Sequence, residues 1–134
     1  HANLTEGTHS SMHAVATFAD AEQMLAKQWP KRPEMPAPER GAEMACCIQK
    51  LGMQKMACLT IGHGDRAVTV TTGHAEDFRI PSEAQRLVIA GQEYAVLGSQ
   101  GVNMLMTQRD GRWVCVMSRE SVETLVNVVR DMRW

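Results

Sequence analysis

Residues 102–117 read VNMLMTQRDGRWVCVM, and this stretch decides the fold class of the 134-residue chain. The sequence Arg109-Asp110-Gly111 is typical of a turn, and it separates the runs Val102–Gln108 and Arg112–Met117. Apolar residues occupy odd and even positions of both runs. Strands of this kind are usually central in a sheet and covered on both faces. The stretch therefore predicts a β-hairpin in the middle of a sheet.

Upstream of this hairpin, apolar residues recur with a period of two, which is typical of half-buried antiparallel strands. Five further strands are predicted, at Ala45–Lys50, Met56–Ile61, Arg66–Thr72, Gln85–Ala90 and Glu93–Leu97. Short turns are expected between them, at Gly52-Met53, at Gly62–Asp65 and at Gly91-Gln92.

These turns predict which residues lie opposite one another. The turn at Gly62–Asp65 pairs Ile61 with Arg66, Leu59 with Val68 and Ala57 with Val70. The turn at Gly52-Met53 places Ile48 opposite Ala57 and Cys46 opposite Leu59, on the buried face. On the outer face it places Cys47 opposite Cys58.

A helix is predicted on each side of the strands. Helical spacing runs from Met12 to Trp29, where Pro30 ends it, and a proline-rich connector follows. At the other end, Ser118 is the expected N-cap of a helix. Its apolar stripe consists of Val122, Leu125, Val126, Val129 and Met132.

The predicted fold class is α+β, an antiparallel β-meander sheet packed by an N-terminal and a C-terminal helix. Residues 1–40 hold the first helix and the proline-rich connector, and residues 41–134 hold the sheet and the last helix. At this length the two parts are expected to share one core in one compact domain.

Charge and composition argue against two classes of partner. The formal net charge is −1 and acidic and basic residues are mixed, so no basic stripe is available to bind nucleic acid directly. The longest uncharged run, Tyr94–Gln108, is too short and too polar to span a bilayer.

No combination of residues predicts catalysis, and no cofactor is expected. Gly62-His63-Gly64-Asp65 has the spacing of a turn and matches no phosphate-binding loop. Glu76 and Asp77 are adjacent, so they point apart in an extended chain. Nothing in the pattern brings Cys58 and His63 together. The chain is therefore expected not to be an enzyme.

Metal binding is the strongest chemical alternative. His9 and His13 stand four residues apart, so on a helix both imidazoles would share one face. Such a pair can hold zinc or copper when a third ligand arrives from elsewhere. His1, His63, His74 and the ten methionines are candidate third ligands. A solvated polar helix face is the competing interpretation, and the isolated domain is expected to bind no ordered metal there.

The four cysteines fit neither a disulfide framework nor a zinc motif, since no Cys-x-x-Cys occurs. Cys47 and Cys58 are the pair whose predicted register would allow a bridge. A disulfide in an oxidising compartment and two reduced thiols are both open at this point.

The segment from Gly101 to Leu125 resembles a signature of the extracytoplasmic domains of bacterial transmembrane anti-sigma factors. In that family a Gly-x-Asn strand runs into an Asp-Gly turn, and a second strand ends on a serine that caps the last helix. Gly101, Asn103, Gly111 and Ser118 stand at the corresponding positions. The family's aromatic residues on the second strand are replaced here by Val114 and Cys115.

The first hairpin is also similar to that family. Cys47–Gly52 and Met56–Leu59 stand where the family has a strand, a Leu-Gly turn and an alanine-rich strand. Val68-Thr69-Val70 stands where the family has a Val-x-Val strand. The similarity spans residues 42–132, whereas the family's cytoplasmic zinc motif, His-x-x-x-Cys-x-x-Cys, is absent from the chain.

The resemblance implies a non-catalytic sensor or regulatory domain on the extracytoplasmic, periplasmic face of the inner membrane. It would control transcription that depends on an extracytoplasmic-function sigma factor. The sigma factor would bind a cytoplasmic region outside this chain, and a transmembrane helix outside this chain would provide the anchor. A regulated protease or a sensor protein is the expected partner, and a homodimer is a further expectation. The alternative is a periplasmic copper- or zinc-binding protein.

Overall fold

The computed structural model describes residues 13–36, 44–51, 54–62 and 66–132. Two helices, α1 (Phe18–Gln28) and α2 (Val122–Asp131), accompany one antiparallel eight-stranded sheet. The strands are β1 (His13–Val15), β2 (Met44–Leu51), β3 (Gln54–Ile61), β4 (Val68–His74), β5 (Gln85–Ile89), β6 (Gln92–Ser99), β7 (Val102–Arg109) and β8 (Arg112–Ser118). The presence of helices beside an antiparallel sheet confirms the α+β class. No helix in the described ranges is long and apolar enough to cross a membrane.

The sheet is not the single meander that the sequence predicts. Its strand order is β1-β2-β3-β4-β8-β7-β6-β5, so two four-stranded meanders meet where β4 pairs with β8. The connection of residues 75–84, which begins with the 3-10 helix Ala75–Asp77, carries the chain from β4 to the far edge. Turn residues identify hairpins but carry no information about this long connection, so the sequence pattern missed the crossing.

Three successive hairpins in the second meander have two-residue turns in which both residues have positive φ. They are Ala90-Gly91, Gln100-Gly101 and Asp110-Gly111, with φ values from 52° to 81°. A type I′ turn requires this conformation, and glycine adopts it without a steric cost. The turn expected at Gly91-Gln92 is therefore displaced by one residue, and the turn expected at Arg109–Gly111 is shortened to its last two residues. The turn at Gln100-Gly101 was not predicted.

The register of the first hairpin is confirmed. In β2 and β3, Cys46 lies opposite Leu59, Cys47 opposite Cys58 and Ile48 opposite Ala57. The next pairing is wrong by two residues, because Ile61 lies opposite Val68 and not opposite Arg66. A shift of two residues leaves every side chain on its predicted face, so alternation alone cannot distinguish the two registers.

Both helices begin later than predicted. Thr17 caps α1 by accepting a hydrogen bond from the Asp20 N–H at 3.1 Å, and residues His13–Val15 form an edge strand instead of a first helical turn. Ser121 and not Ser118 caps α2, because its side chain accepts from the Thr124 N–H at 3.2 Å. In both cases a serine or threonine hydroxyl beside the first free N–H groups sets the helix start.

The two faces of the sheet differ in chemistry. The aliphatic face belongs to a buried cluster that also includes the α1 residues Ala21 and Leu25 and the α2 residues Leu125 and Val129. The strand residues of this face include Cys46, Ile48, Ala57, Leu59, Val70, Leu105, Val114 and Val116. The thiol face is defined here by Cys47, Cys58, Thr71, Cys115 and Met106, which follow one another across five strands in register.

The connection between β4 and β5 covers one half of the thiol face. Phe78 stacks on Trp113 with ring centroids 4.6 Å apart, and Ile80 and Ala84 join the same cluster. The Gln108 side chain donates to the Phe78 carbonyl at 3.1 Å, which ties the connection to β7. Strands β7 and β8 are thus apolar on both faces and central, as the sequence predicts.

Candidate functional site

The candidate site is the thiol pair formed by Cys47 of β2 and Cys58 of β3. The two residues are directly opposite in register, and both side chains are buried. Directly opposed residues of antiparallel strands have Cα atoms about 4.5–5.5 Å apart. A disulfide spans roughly 4.4–6.8 Å between Cα atoms, so the backbone already has the geometry for a bridge.

Polar neighbours surround the Cys58 sulfur. Its S–H donates to the Gln49 Oε1 atom at 3.5 Å, and the Thr71 hydroxyl donates to the sulfur at 3.7 Å. Gln49 is two residues after Cys47 on the same strand, and Thr71 lies opposite Cys58 on β4. The sulfur is therefore held by groups that can stabilise either a thiol or a thiolate.

The pKa values of the two thiols are shifted in opposite directions. When Cys47 ionises, the single S–H of Cys58 can turn from Gln49 to the Cys47 sulfur, and this hydrogen bond lowers the pKa of Cys47, although burial acts in the other direction. The same hydrogen bond, together with burial, raises the pKa of Cys58 far above its ordinary value. Cys47 is therefore the first of the pair to ionise, and Cys58 keeps its proton and stabilises the thiolate.

The other two cysteines are inert by comparison. Burial, reinforced by the charge of Cys47, raises the pKa of Cys46, which projects onto the aliphatic face. Burial raises the pKa of Cys115 to about 12. Cys115 shares the thiol face, but β4 separates it from β3. Only Cys47 combines a lowered pKa with a second thiol as a direct neighbour among the described cysteines.

The pair can carry out two kinds of chemistry. Two thiols at this spacing can be oxidised to a disulfide, and all four cysteines are free thiols in this structure. Two thiolates can also ligate a soft cation. In residues 13–36, 44–51, 54–62 and 66–132, no group of three or more His, Cys, Asp or Glu side chains could hold a metal ion. The disulfide between Cys47 and Cys58 stays a prediction.

The metal site considered at His9 and His13 requires both residues to lie on one helix, and the structure does not have this helix at His13. His13 is in the edge strand β1, so the i, i+4 relation of a helix does not apply to it. His9, His1 and His63 lie outside the described residues. His74 contacts the proline-rich connector, where its Nε2 atom is 2.9 Å from the Lys31 carbonyl oxygen. Glu76 and Asp77 lie in the 3-10 helix at the start of the β4–β5 connection.

Three of the four residues that carry the family resemblance, Gly101, Asn103 and Ser118, lie near the end of the sheet where α2 begins, whereas Gly111 lies at the opposite end of β7. Gly101 and Gly111 form the second residues of the turns on either side of β7. Asn103 and Ser118 are opposite each other on β7 and β8. The Asn103 Nδ2 donates to the Glu120 carbonyl at 2.9 Å, and the Ser118 Oγ accepts from the Glu120 N–H at 3.0 Å.

We call Asn103, Ser118 and the backbone of Glu120 the junction clamp. It holds the N–H and the carbonyl of Glu120, the middle one of the three residues 119–121 that lead from β8 to α2. Ser118 thus orders the linker before the helix, although it does not cap the helix itself. The sequence indicated Asn103 and Ser118 through the resemblance, but Glu120 acts through its backbone, which no residue type reveals.

Sequence reasoning also missed the partners of Cys58. Gln49 and Thr71 lie on the outer face by the same alternation that placed Cys47 there, so the register contained the signal for Gln49. Thr71 was out of reach, because the wrong β3–β4 register gives Cys58 a different partner.

Scans of known protein families, of curated proteins and of solved structures find no match to this chain.

Proposed function

We propose that this chain is a non-catalytic sensor or regulatory domain, the extracytoplasmic part of a membrane-anchored bacterial anti-sigma factor. In this proposal it acts at the periplasmic face of the inner membrane. A regulated protease or a sensor partner acts on it, and a sigma factor binds a cytoplasmic region beyond this chain. The folded state of the domain would set the activity of the sigma factor.

The observation that carries the proposal is the junction clamp. Two of the four residues of the resemblance, Asn103 and Ser118, converge on the backbone of Glu120. A buried or half-buried hydrogen bond of this kind contributes about 0.5–1.5 kcal/mol. A set of residues that jointly orders one linker is what a shared structural motif would require, and it supports homology of this segment over chance similarity.

The proposal includes a mechanical role for the two helices. We propose that both pack on the aliphatic face and form one rigid body with the sheet. The buried residues of α1 and α2 belong to the same cluster as Leu59, Val70 and Val116, which supports this packing. A signal that loosens α2 would then expose the chain to proteolysis, because local unfolding makes cleavage sites accessible.

Reporter expression in cells that contain the full-length anti-sigma protein tests this function. The double variant Asn103→Ala with Ser118→Ala removes the side chains of the clamp, and expression from the cognate sigma factor's promoters should rise. Asn127→Ala is the matched control, because Asn127 is an exposed residue of α2. It should leave reporter expression at the wild-type level.

Unchanged reporter expression would contradict the anti-sigma function if the purified clamp variant melts earlier than the control. An equal rise in the clamp variant and in Asn127→Ala would also contradict it, since the effect would then not depend on the junction.

A further inference from the structure

We propose that Cys47 and Cys58 together bind one soft monovalent d10 cation, such as Cu(I), through two sulfur ligands. This site differs from the histidine pair suggested by the sequence. The proposed cation site depends only on the geometry of the two cysteines, and it goes beyond the regulatory function proposed above. The structure assigns it to the half of the thiol face that β2, β3 and β4 form.

Register and face supply the ligands. Cys47 and Cys58 are directly opposite, and their side chains project to the same side of the sheet. Thiolates are soft ligands that select Cu(I) over hard divalent cations. A d10 cation accepts two sulfur ligands in a linear arrangement, so the pair is a complete ligand set without a third residue.

The surroundings favour a soft cation over a hard one. The neighbours of the pair in register on this face are the amide of Gln49, the thioether of Met56 and the hydroxyls of Thr60, Thr69 and Thr71. Carboxylates, the ligands that hard divalent cations prefer, are absent from this set. Met56 stands two residues before Cys58 on the same strand face and is the nearest thioether in sequence.

Zinc is disfavoured by ligand number. A structural zinc site almost always has four ligands, and the described residues contain no group of three His, Cys, Asp or Glu that could hold a metal. Cys115 cannot complete such a site, because two strand spacings separate β8 from β3 and place the backbones roughly 10 Å apart.

Charge balance also favours a monovalent cation at a buried pair. Two buried thiolates without a counterion would be strongly destabilised, since buried charges require a partner. One Cu(I) leaves a single net negative charge on the two sulfurs, and Thr71 donates a hydrogen bond towards that charge. Two Cu–S bonds require both thiols to lose their protons, so the cation displaces the protons of Cys47 and Cys58.

The binding step is an exchange of protons for the cation. The two thiols release up to two protons and form two Cu–S bonds, and no electron is transferred. Binding should therefore tighten as pH rises, by up to about 100-fold per pH unit while both thiols are protonated in the apo protein.

The test uses the purified, reduced 134-residue chain under anaerobic conditions and Cu(I) buffered with bicinchoninate. We expect one Cu(I) per chain, and we expect Cys47→Ser and Cys58→Ser each to lose binding in competition with bicinchoninate, because either change leaves a single sulfur ligand. Cys46→Ser and Cys115→Ser are the matched controls and should bind as wild type does. Cys46 is the immediate neighbour of Cys47 on the opposite face.

Copper K-edge absorption spectroscopy of the loaded wild-type chain provides a readout that needs no variant to fold. We expect two sulfur ligands and no nitrogen ligand. The proposal is overturned if reduced wild-type protein does not compete with bicinchoninate. It is equally overturned if Cys115→Ser loses binding as Cys58→Ser does, or if the spectrum requires imidazole nitrogen. Failure of the sigma-factor reporter assay would leave these binding results unchanged, so the two proposals can fail separately.

Discussion

The two faces of the sheet show how one set of strands can serve stability and chemistry separately. The aliphatic face is continuous with buried residues of both helices, from Leu25 to Val129, and forms the larger cluster. The thiol face carries three of the four cysteines, and the β4–β5 connection packs on the half that contains Trp113. The difference teaches that the larger part of the core lies on one face, whereas the other face combines a smaller apolar cluster with a buried pair of reactive thiols.

The largest expected effect tests the aliphatic face. Leu125 is fully buried, and Leu125→Ala should reduce the free energy of unfolding by about 2–5 kcal/mol because it removes a leucine side chain and leaves a cavity. Urea denaturation measures the change. The exposed Asn127→Ala on the same helix should change stability by less than about 0.5 kcal/mol.

A Leu125→Ala chain with the wild-type midpoint would show that α2 is not docked on this face. A second outcome is that the variant melts early while sigma-dependent transcription stays at the wild-type level in cells that contain the full-length protein. In that case α2 is part of the core, but the anti-sigma proposal loses its support.

The second prediction concerns the thiol face in its oxidised form. A disulfide between Cys47 and Cys58 should raise the free energy of unfolding by about 2–4 kcal/mol over the reduced chain, because it restricts the unfolded state. Peptide mapping after mild oxidation should identify the 47–58 bridge. The effect should vanish in Cys58→Ser and persist in Cys46→Ser.

Equal stability of oxidised and reduced wild-type chains, with the bridge present, would mean that the disulfide strains the sheet as much as it restricts the unfolded chain. A bridge to Cys46 or Cys115 instead would contradict the register on which the prediction rests.

The third prediction concerns how the thiol face is covered. A side chain at Gly73 would collide with the Phe78 ring, which lies against this part of the sheet. Gly73→Ala should therefore cost about 1–3 kcal/mol, as overpacking of a buried site does. Thermal unfolding of Gly73→Ala in a Phe78→Ala background provides the control. There the glycine substitution should be neutral or slightly stabilising, because alanine restricts the unfolded chain.

The smallest expected effect is on the slope of the free energy of unfolding against pH. The pKa of Cys115 rises from 9.0 to about 12 through burial, so the folded chain keeps this proton where the unfolded chain has lost it. Because the pKa is higher in the folded chain, protonated Cys115 stabilises the folded state fully below pH 9. This contribution to the free energy of unfolding is lost as the pH rises towards 12. Between these values Cys115 should reduce stability by about 1.4 kcal/mol per pH unit.

Denaturation at pH 9.5 and 10.5 measures this slope. Cys115→Ala should flatten it by about 1.4 kcal/mol per pH unit, whatever its effect on absolute stability. Met106→Ala removes the neighbour opposite Cys115 without removing a titratable group, so its slope should match the wild type. Identical slopes for Cys115→Ala and wild type would mean that Cys115 ionises equally in both states.

Short-range signals in the sequence were sufficient for much of the fold and for one pair of site residues. Alternation and the turn before Gln54 placed Cys47 opposite Cys58, and Gly91 and Gly111 marked two of the hairpins to within one residue. These signals did not predict contacts between residues that are far apart in the sequence. The pairing of β4 with β8 and the packing of Phe78 on Trp113 depend on the long connection between the two meanders.

The sequence by itself determined which residues share a face, because the side-chain period of a strand is two and survives even the two-residue error at β3 and β4. It also indicated the tight turns at Gly91 and Gly111, because turns with positive φ at both positions favour glycine at the second. Only the tertiary structure decided that Gln49 and Thr71 contact the Cys58 sulfur and that Glu120 joins Asn103 to Ser118. Such contacts depend on register, burial and backbone position together, and these are set by the packing of the whole sheet and not by any local run of residues.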